Sequence, residues 1–510
     1  MRTLLLLITC TLAPASVSAE QWQILGTRPM GMGGAFVAVA QGPIAQYWNP
    51  AGLVKSSANV SGVEIPVGVN AEFTGDIAKN ATQLGDMSKT FSATQEAQKS
   101  GGALNVEQAA AFVKTLSLLS DMNKPGKGAL LEVAGGMDFK FSKLALSVNN
   151  FTAIGLNPFI DTVNVGLGAG AGNTGVSISG AVTDPTDTTL LAAANTITSA
   201  INTIGYDNLA TIICGSAGCL TGGIHDATTL ANAFVNQAAA TQSPAQITAA
   251  ANTMSQYAAS VAPIIAAAKP GADYSNNTSS LKAVAASFTE IAAGYAWNIK
   301  MLSGLSLGAN LKMINGQTAE TTFHVLSQSN TDEAFKMSNI KSSWAPAADL
   351  GLLWDVNRKF SKVPLHPKVG LVVRNINSPK FDTASGGHYA LDRQARAGFA
   401  LNPAKFWTLA MDMDLTRNKT EVKGFDSRQL AMGTEINIVN RKYFNIPLRA
   451  GLTKNMAEKG SKMAYTFGTG LNLLYMHLDV SGVASTDKTE LDHKKYPTKV
   501  GLAASFGLLF

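Results

Sequence analysis

Six histidines, at positions 225, 324, 366, 388, 477 and 493, lack the His-x-x-x-His spacing that would set two imidazoles on one helical face for a metal. No Gly-x-Ser-x-Gly elbow occurs, and Ser216 stands in Gly-Ser-Ala-Gly, which is turn chemistry. Gly31-Met32-Gly33 hints at a phosphate cradle, yet Phe36 stands where the third glycine belongs and no βαβ pattern follows. Cys214 and Cys219 are not a Cys-x-x-Cys pair. In an oxidising compartment they join as a local disulfide staple. No enzyme, cofactor or metal is therefore expected. What remains is charge spaced two residues apart, as in Asp412 and Asp414, together with Arg396, Glu435 and Arg449.

Those charges gain meaning from the elements that carry them. From Trp407 to Leu415 the odd positions are Trp, Leu, Met, Met and Leu, while the even ones are Thr408, Ala410, Asp412 and Asp414. A helix would put both aspartates partly on the apolar side, and only a strand separates the two sets. The same period of two marks segments near 57–75, 129–142, 144–153, 287–300, 303–325, 342–357 and 364–383. It continues through 388–402, 405–418, 427–439, 443–455, 463–475, 477–487 and 496–510. The fold class expected is an all-β transmembrane barrel of about 14 antiparallel strands, with a helical loop insertion.

Connections of alternating length support closure. Short links fall near Ser142, Ser303, Pro403, Asn440 and Met476, with a longer one from Arg358 to Val363 and a compact one at Gly386. Long ones fall at 76–128, 154–286, 327–341, 419–426, 456–462 and 488–495, as in outer-membrane barrels with short periplasmic turns. Trp297, Phe360, Trp407, Phe444 and Tyr475 then sit where an interfacial girdle belongs. Faces away from lipid would line the lumen with Glu132, Asp138, Lys140, Lys300, Lys312, Asp349, Arg374, Asp392, Arg396, Asp412, Asp414, Glu435 and Arg449. Both signs are present, so an ion-paired network is expected.

Composition agrees. The 510 residues are 46% hydrophobic and only 15% charged, against roughly 25% charged in an ordinary soluble domain. Mean hydropathy is +0.10, and past the first dozen residues no stretch approaches the ~18 apolar residues of a spanning helix. The net charge of +6 includes no run of five like charges, so nucleic acid is not an expected partner.

Arg2, the apolar run from Leu4 to Leu12 and the small residues Val17-Ser18-Ala19 form a signal peptide over 1–19, cleaved after Ala19. The barrel covers 54–510. Helical inserts are expected at about 80–125 and 186–285. Asn105 and Gln108 have capping-box spacing, and Ser243, Pro244 and Gln246 open a second helix. Thr188 to Ile204 has a similar period. The weak apolar content of this block argues against independent stability. The last strand alternates Val500, Leu502, Ala504, Phe506, Leu508 and Phe510 with small residues. An ending on Phe506 and Phe510 resembles the signal that outer-membrane barrels present to their insertion machinery, so that machinery and outer-membrane lipid are expected partners.

Met30-Gly31-Met32-Gly33-Gly34-Ala35 and Asn49-Pro50-Ala51-Gly52 resemble the hatch of the FadL-like superfamily, which folds into the barrel mouth, and the resemblance implies an N-terminal hatch over 20–53. The segments Gln394 to Gly398, Thr408 to Thr416, Gly433-Thr434-Glu435 and Pro447 to Leu452 are similar to the barrel family called conjugal transfer protein TraF. An unrelated thioredoxin-like periplasmic protein shares that name, and the missing Cys-x-x-Cys separates this chain from it. The insert between Thr188 and Lys282 has no counterpart in the resemblance. The resemblance implies a plugged channel for small hydrophobic solutes in the bacterial outer membrane, or a structural component acting with transfer or surface-assembly proteins. Met30, Met32 and Phe36 would line a greasy pocket, with Asn49 and Pro50 fixing the turn that seats the plug.

Overall fold

A computed structural model describes residues 21–54, 61–170, 173–214, 220, 223–268, 276–324, 340–383, 386–441 and 444–509. Fourteen strands close into one antiparallel barrel. They are β1 Ser61–Thr74, β2 Gly128–Phe141, β3 Leu144–Phe159, β4 Ser280–Asn298, β5 Leu305–His324, β6 Lys341–Asp355 and β7 Lys368–Arg374. The circuit continues through β8 Gln394–Ala404, β9 Trp407–Asp414, β10 Gln429–Arg441, β11 Phe444–Asn455, β12 Ala464–Leu473, β13 Met476–Ser485 and β14 Lys499–Leu509. Each pairs with its sequence neighbour, and β1 pairs with β14 from Gly62↔Leu509 to Glu72↔Lys499 to close the wall. Both ends of the barrel chain lie at the short-turn end.

Exposure is inverted relative to a water-soluble protein. Leu311, Leu502 and Phe467 are 72%, 68% and 67% exposed, whereas Asp414 and Asp138 are fully buried. Apolar residues point outward and polar ones into the lumen, a pattern that is stable only where the exterior is hydrocarbon. A β-sandwich would show the reverse. Among the described residues no helix is long and apolar enough to cross a membrane. The strands are the spanning elements.

β3, β4 and β5, at 16, 19 and 20 residues, exceed the ~9–11 residues needed to cross a bilayer. Their outward rows turn polar where the excess begins. Asn150 donates to the hydroxyls of Ser287 and Thr289 at 3.0 Å, and Thr152 donates to Asn150 at 2.8 Å. Further around, Asn315 donates to Ser342 at 2.9 Å. This ladder continues beyond the apolar band toward the long loops.

Two sequence expectations need correction. The segment predicted as strand 364–383 ends at Arg374, because Asn375 and Ser378 take positive φ ahead of Pro379. The chain then makes a small ribbon, Lys380–Asp382 with His388–Ala390, so the link is longer than the compact one expected at Gly386. Lys300, placed in the lumen by its spacing, lies exposed in the turn between β4 and β5. That turn interrupts the period of two.

The helices lie in the hatch and the long loops. The hatch contains α1 Thr27–Gly31, α2 Ala45–Trp48 and a 3₁₀ turn at Pro50–Val54. The first long loop holds α3 Ile77–Asp86, α4 Ser88–Ser100 and α5 Val106–Met122, where Asn105 and Gln108 form the reciprocal capping box. The second holds α6 Thr188–Ile204, α7 Tyr206–Cys214, α8 Ala227–Ala239 and α9 Pro244–Ala267. Ile197, Ile201, Phe234, Met254 and Val261 are buried together there, with Phe112 and Leu116 of α5 joining them. The insert therefore has an apolar core despite its alanine-rich composition, because small alanines let the helices approach closely.

Candidate functional site

The hatch occupies the short-turn half and middle of the lumen, below the long-loop mouth. The wall makes room with small residues. A Cβ on Gly308 would strike the Pro50 backbone, one on Gly351 the Asn49 side chain and one on Gly370 the Val37 backbone. On the opposite wall Gly433 and Gly451 do the same for Met32 and Gly33. Gly433 and Gly451 are direct cross-strand partners, as are Gly308 and Gly351. Gly33 itself has φ +71, a conformation few side chains adopt, and a Cβ there would strike the wall carbonyls of Leu452 and Met432.

Charge fixes the hatch in place. Arg28 donates twice to Glu435, at 2.8 Å each, in the forked geometry that suits a carboxylate. Glu435 also receives Arg449 at 2.7 Å, and Arg449 reaches Asp479 at 3.0 Å. The Asp412 carboxylate accepts the backbone N–H groups of Phe36 and Val37, both at 2.7 Å. Thr466 donates to the Gly31 carbonyl at 3.0 Å. Asn49 ties the far end by donating to the Val37 and Leu352 carbonyls at 3.1 and 3.0 Å, and its own carbonyl accepts Ala51 N–H.

A second set of charges lies toward the long loops. Arg396 donates to Asp414 at 2.6 Å. Lys312 bridges Glu290 at 3.2 Å and Asp349 at 3.0 Å, and Arg374 pairs with Glu290 at 3.0 Å. These cations also cover aromatic faces of the hatch. The Arg374 guanidinium lies 4.1 Å from the Tyr47 ring centre and that of Arg396 4.5 Å from Trp22.

Aromatic rings line this charged lumen in two groups, joined by a cross-strand pair. Phe381 and Tyr389 of the mouth ribbon pack on Phe288 at 5.2 and 5.3 Å between ring centres. Phe288 is the cross-strand partner of Phe151, which stacks on Tyr47 of the hatch at 5.0 Å. Tyr47 meets Trp48 at 5.6 Å, and Trp48 meets Phe36 at 5.9 Å. Beyond Phe36, toward the short turns, a polar cavity of about 240 Å³ is bordered by Arg28, Glu64, Glu435, Arg449, His477 and Asp479.

The sequence-derived residues divide as follows. Met30, Met32, Phe36, Asn49 and Pro50 are all in the hatch and almost fully buried. Met32 packs against Gly433, and Phe36 borders the polar cavity. Arg396, Asp412, Asp414, Glu435 and Arg449 all face the lumen, where Glu435 and Asp412 hold the hatch. Arg28, Glu64, Glu290 and Asp479 escaped sequence reasoning. Glu64 and Asp479 do alternate with apolar neighbours, a signal available in the sequence, but Arg28 lies outside any strand. Cys214 ends α7 and is disulfide-bonded, while Ala19, Cys219 and Phe510 lie outside the described residues. Phe506 faces outward on β14. Among the described residues no group of three His, Cys, Asp or Glu side chains gathers to hold a metal.

Together these features define a membrane-spanning β-barrel whose lumen is plugged by its own N-terminal segment. The family described as F plasmid transfer operon, TraF, protein matches residues 46–414, and the chain belongs to it. No curated protein matches the sequence. Among solved structures, the toluene transporter TbuX of Ralstonia pickettii is similar at 10% identity and TM-score 0.40, over 95% of this chain and 98% of its own. The toluene transporter TodX of Pseudomonas putida stands at 9% and 0.40, over 97% and 98%. A Pseudomonas aeruginosa FadL homologue stands at 8% and 0.39, over 96% and 98%.

Proposed function

We propose that the protein is a plugged outer-membrane channel through which small hydrophobic solutes move from the long-loop mouth to the periplasm. The aromatic series from Phe381 and Tyr389 through Phe288, Phe151 and Tyr47 to Trp48 and Phe36 is the observation that carries this reading. A lumen meant only to be rigid could be filled with ion pairs alone. A run of π faces offers an apolar molecule successive contacts between the mouth and the hatch. The toluene transporters named above carry such solutes, which agrees with the reading.

Release then requires the hatch to move, since Phe36 and Trp48 close the series. Liposomes bearing the protein should pass a hydrophobic solute such as toluene, and deleting residues 27–53 should change the flux. Identical flux with and without the hatch would retire the gating step. Absence of solute-specific flux would retire the transport reading itself.

A second reading rests on the insert. Residues 160–279 carry six aspartates and one lysine, and the exposed faces of α6 and α9 present Asn195, Ser199, Asn252 and Ser255. A polar, mildly acidic surface of this kind on a chain of the transfer family suits docking of envelope or transfer proteins. Co-purified partners should be lost when 188–282 is excised, and partners that persist would count against it.

A further inference from the structure

The outer wall of β8 to β13 carries a depression that the hatch and lumen do not use. Thr434, Ala450, Phe467 and Gly482 form one cross-strand row on the lipid-facing side of β10, β11, β12 and β13. Three of these four are small, and only Phe467 stands out from the wall. Toward the long loops the dent is a groove of about 610 Å³, bordered by Phe399, Met411, Met432, Leu452, Tyr465 and Phe467. Toward the short turns it continues into a second groove of about 660 Å³ that shares Thr434, Ala450 and Phe467. The two together extend over the apolar wall from the long-loop side toward the short turns.

Cations crown the long-loop end of the same sector. Each of four adjacent strands carries one just past its last lipid-facing apolar or small residue. Arg393 precedes Ala395 of β8, Arg417 follows Leu415 of β9, Arg428 precedes Leu430 of β10 and Lys454 follows Leu452 of β11. Arg417 pairs with Asp426 at 2.7 Å, and Arg428 donates to the Asp414 carbonyl at 3.1 Å. Asp392 stands beside Arg393, and Glu458 accepts the Asp426 N–H, so acids answer part of this arc. Among the described residues no ion pair involves Arg393 or Lys454. The opposite sector, β3 to β6, places uncharged Asn150, Ser287, Asn315 and Ser342 in its outward polar row.

We infer that this sector is a binding site for one acylated lipid carrying more than one phosphate, with an acyl chain in the groove and separate phosphates against Arg393 and Lys454. Guanidinium and ammonium groups at the edge of an apolar groove match a molecule that is anionic at one end and hydrocarbon at the other. Under the orientation proposed above, which this inference adopts, the long-loop leaflet is the outer one and the lipid is of the lipid A type. Bound there, it would fasten the wall behind Gly433 and Gly451, the residues that receive the hatch on the inner side.

Full-length protein in detergent micelles, titrated with diphosphoryl lipid A and observed by native mass spectrometry, tests this directly. Binding should be at least tenfold tighter than for the same lipid stripped of phosphate. The Arg393→Gln, Lys454→Gln double variant should lose that preference, and Ala450→Phe, which fills the groove from the lipid side, should weaken both lipids. Lys359→Gln, Lys362→Gln at the short-turn end should change nothing. Equal affinity for the two lipids, or equal loss in the short-turn control, would overturn the inference. Should the double variant not fold, Lys454→Gln alone is read in the same way. Phosphate-dependent binding without solute flux would leave this site standing and remove the transport reading.

Discussion

The hatch and the helical insert are both excursions from the same barrel, yet they are held by opposite means. The hatch helices α1 and α2 have five and four residues, too short to persist alone in water. Their place is set by the wall, through Arg28 on Glu435, Asp412 on two N–H groups and glycines that admit the backbone. The insert has helices of up to 24 residues and, with α5, an apolar core outside the barrel, and part of its tie to the barrel runs through a neck at Asp161. One region is specified from outside and the other from within. A gate is better made from the first kind, since a few polar contacts can release it without unfolding a core.

The largest expected effect divides the two regions. Arg449→Ala strips the shared partner from Glu435 and Asp479, both buried, and should cost about 3–5 kcal/mol. Hydrogen exchange should rise in 27–38 and leave the insert helices unchanged. Phe234→Ala in α8 is the mirror image. It removes a fully buried ring from the insert core, with a similar cost of about 3–5 kcal/mol, and should free α6 to α9 while the hatch stays protected. If both variants loosened both regions alike, the division would fail.

Gly433→Leu is a milder blow at the same division. The new side chain meets Met32 and should displace the hatch at a cost of about 1–3 kcal/mol, read as protease cutting within 27–53 of a barrel that is otherwise intact. An uncut hatch would mean that the glycine wall is not what seats it.

Acid should act on the insert through its neck. Burial opposes ionisation of Asp161, but the Asn164 side chain, the Thr278 N–H, the Asn164 N–H and the Thr278 hydroxyl together outweigh it and hold the carboxyl at about 2, below its ordinary 3.8. A depressed value in the folded state gives stability that is present above the ordinary value and is lost as pH falls toward 2. Exchange at 160–164 and 276–279 should therefore rise between about pH 4 and pH 2. Asp161→Asn should remove that dependence. The smallest effect expected is at α5, where Asn105→Ala breaks the capping box and should cost about 1 kcal/mol, seen as fraying near Val106.

Most of the wall was legible in sequence because lipid outside and water or charge inside force a period of two on every spanning strand. Trp407 to Asp414 declares itself through its two aspartates. β3 and β4 were read short, to 153 and from 287, because Asn150, Thr152, Ser287 and Thr289 break the outward apolar row where the strands leave the bilayer. Phe381 was read into a strand because its alternation continues past Arg374, while its real partner, Phe288, lies three strands away around the barrel. The hatch contacts left no local trace. Arg28 and Glu435 are 407 residues apart, and no spacing rule links them.

The most direct test is the conductance of the protein in a planar bilayer, with and without residues 21–54. The intact chain should give no steady open level, and the hatch-free barrel should give a sustained one. An intact protein that conducts as well as the truncated one would mean that the segment between Gln21 and Val54 does not fill the lumen.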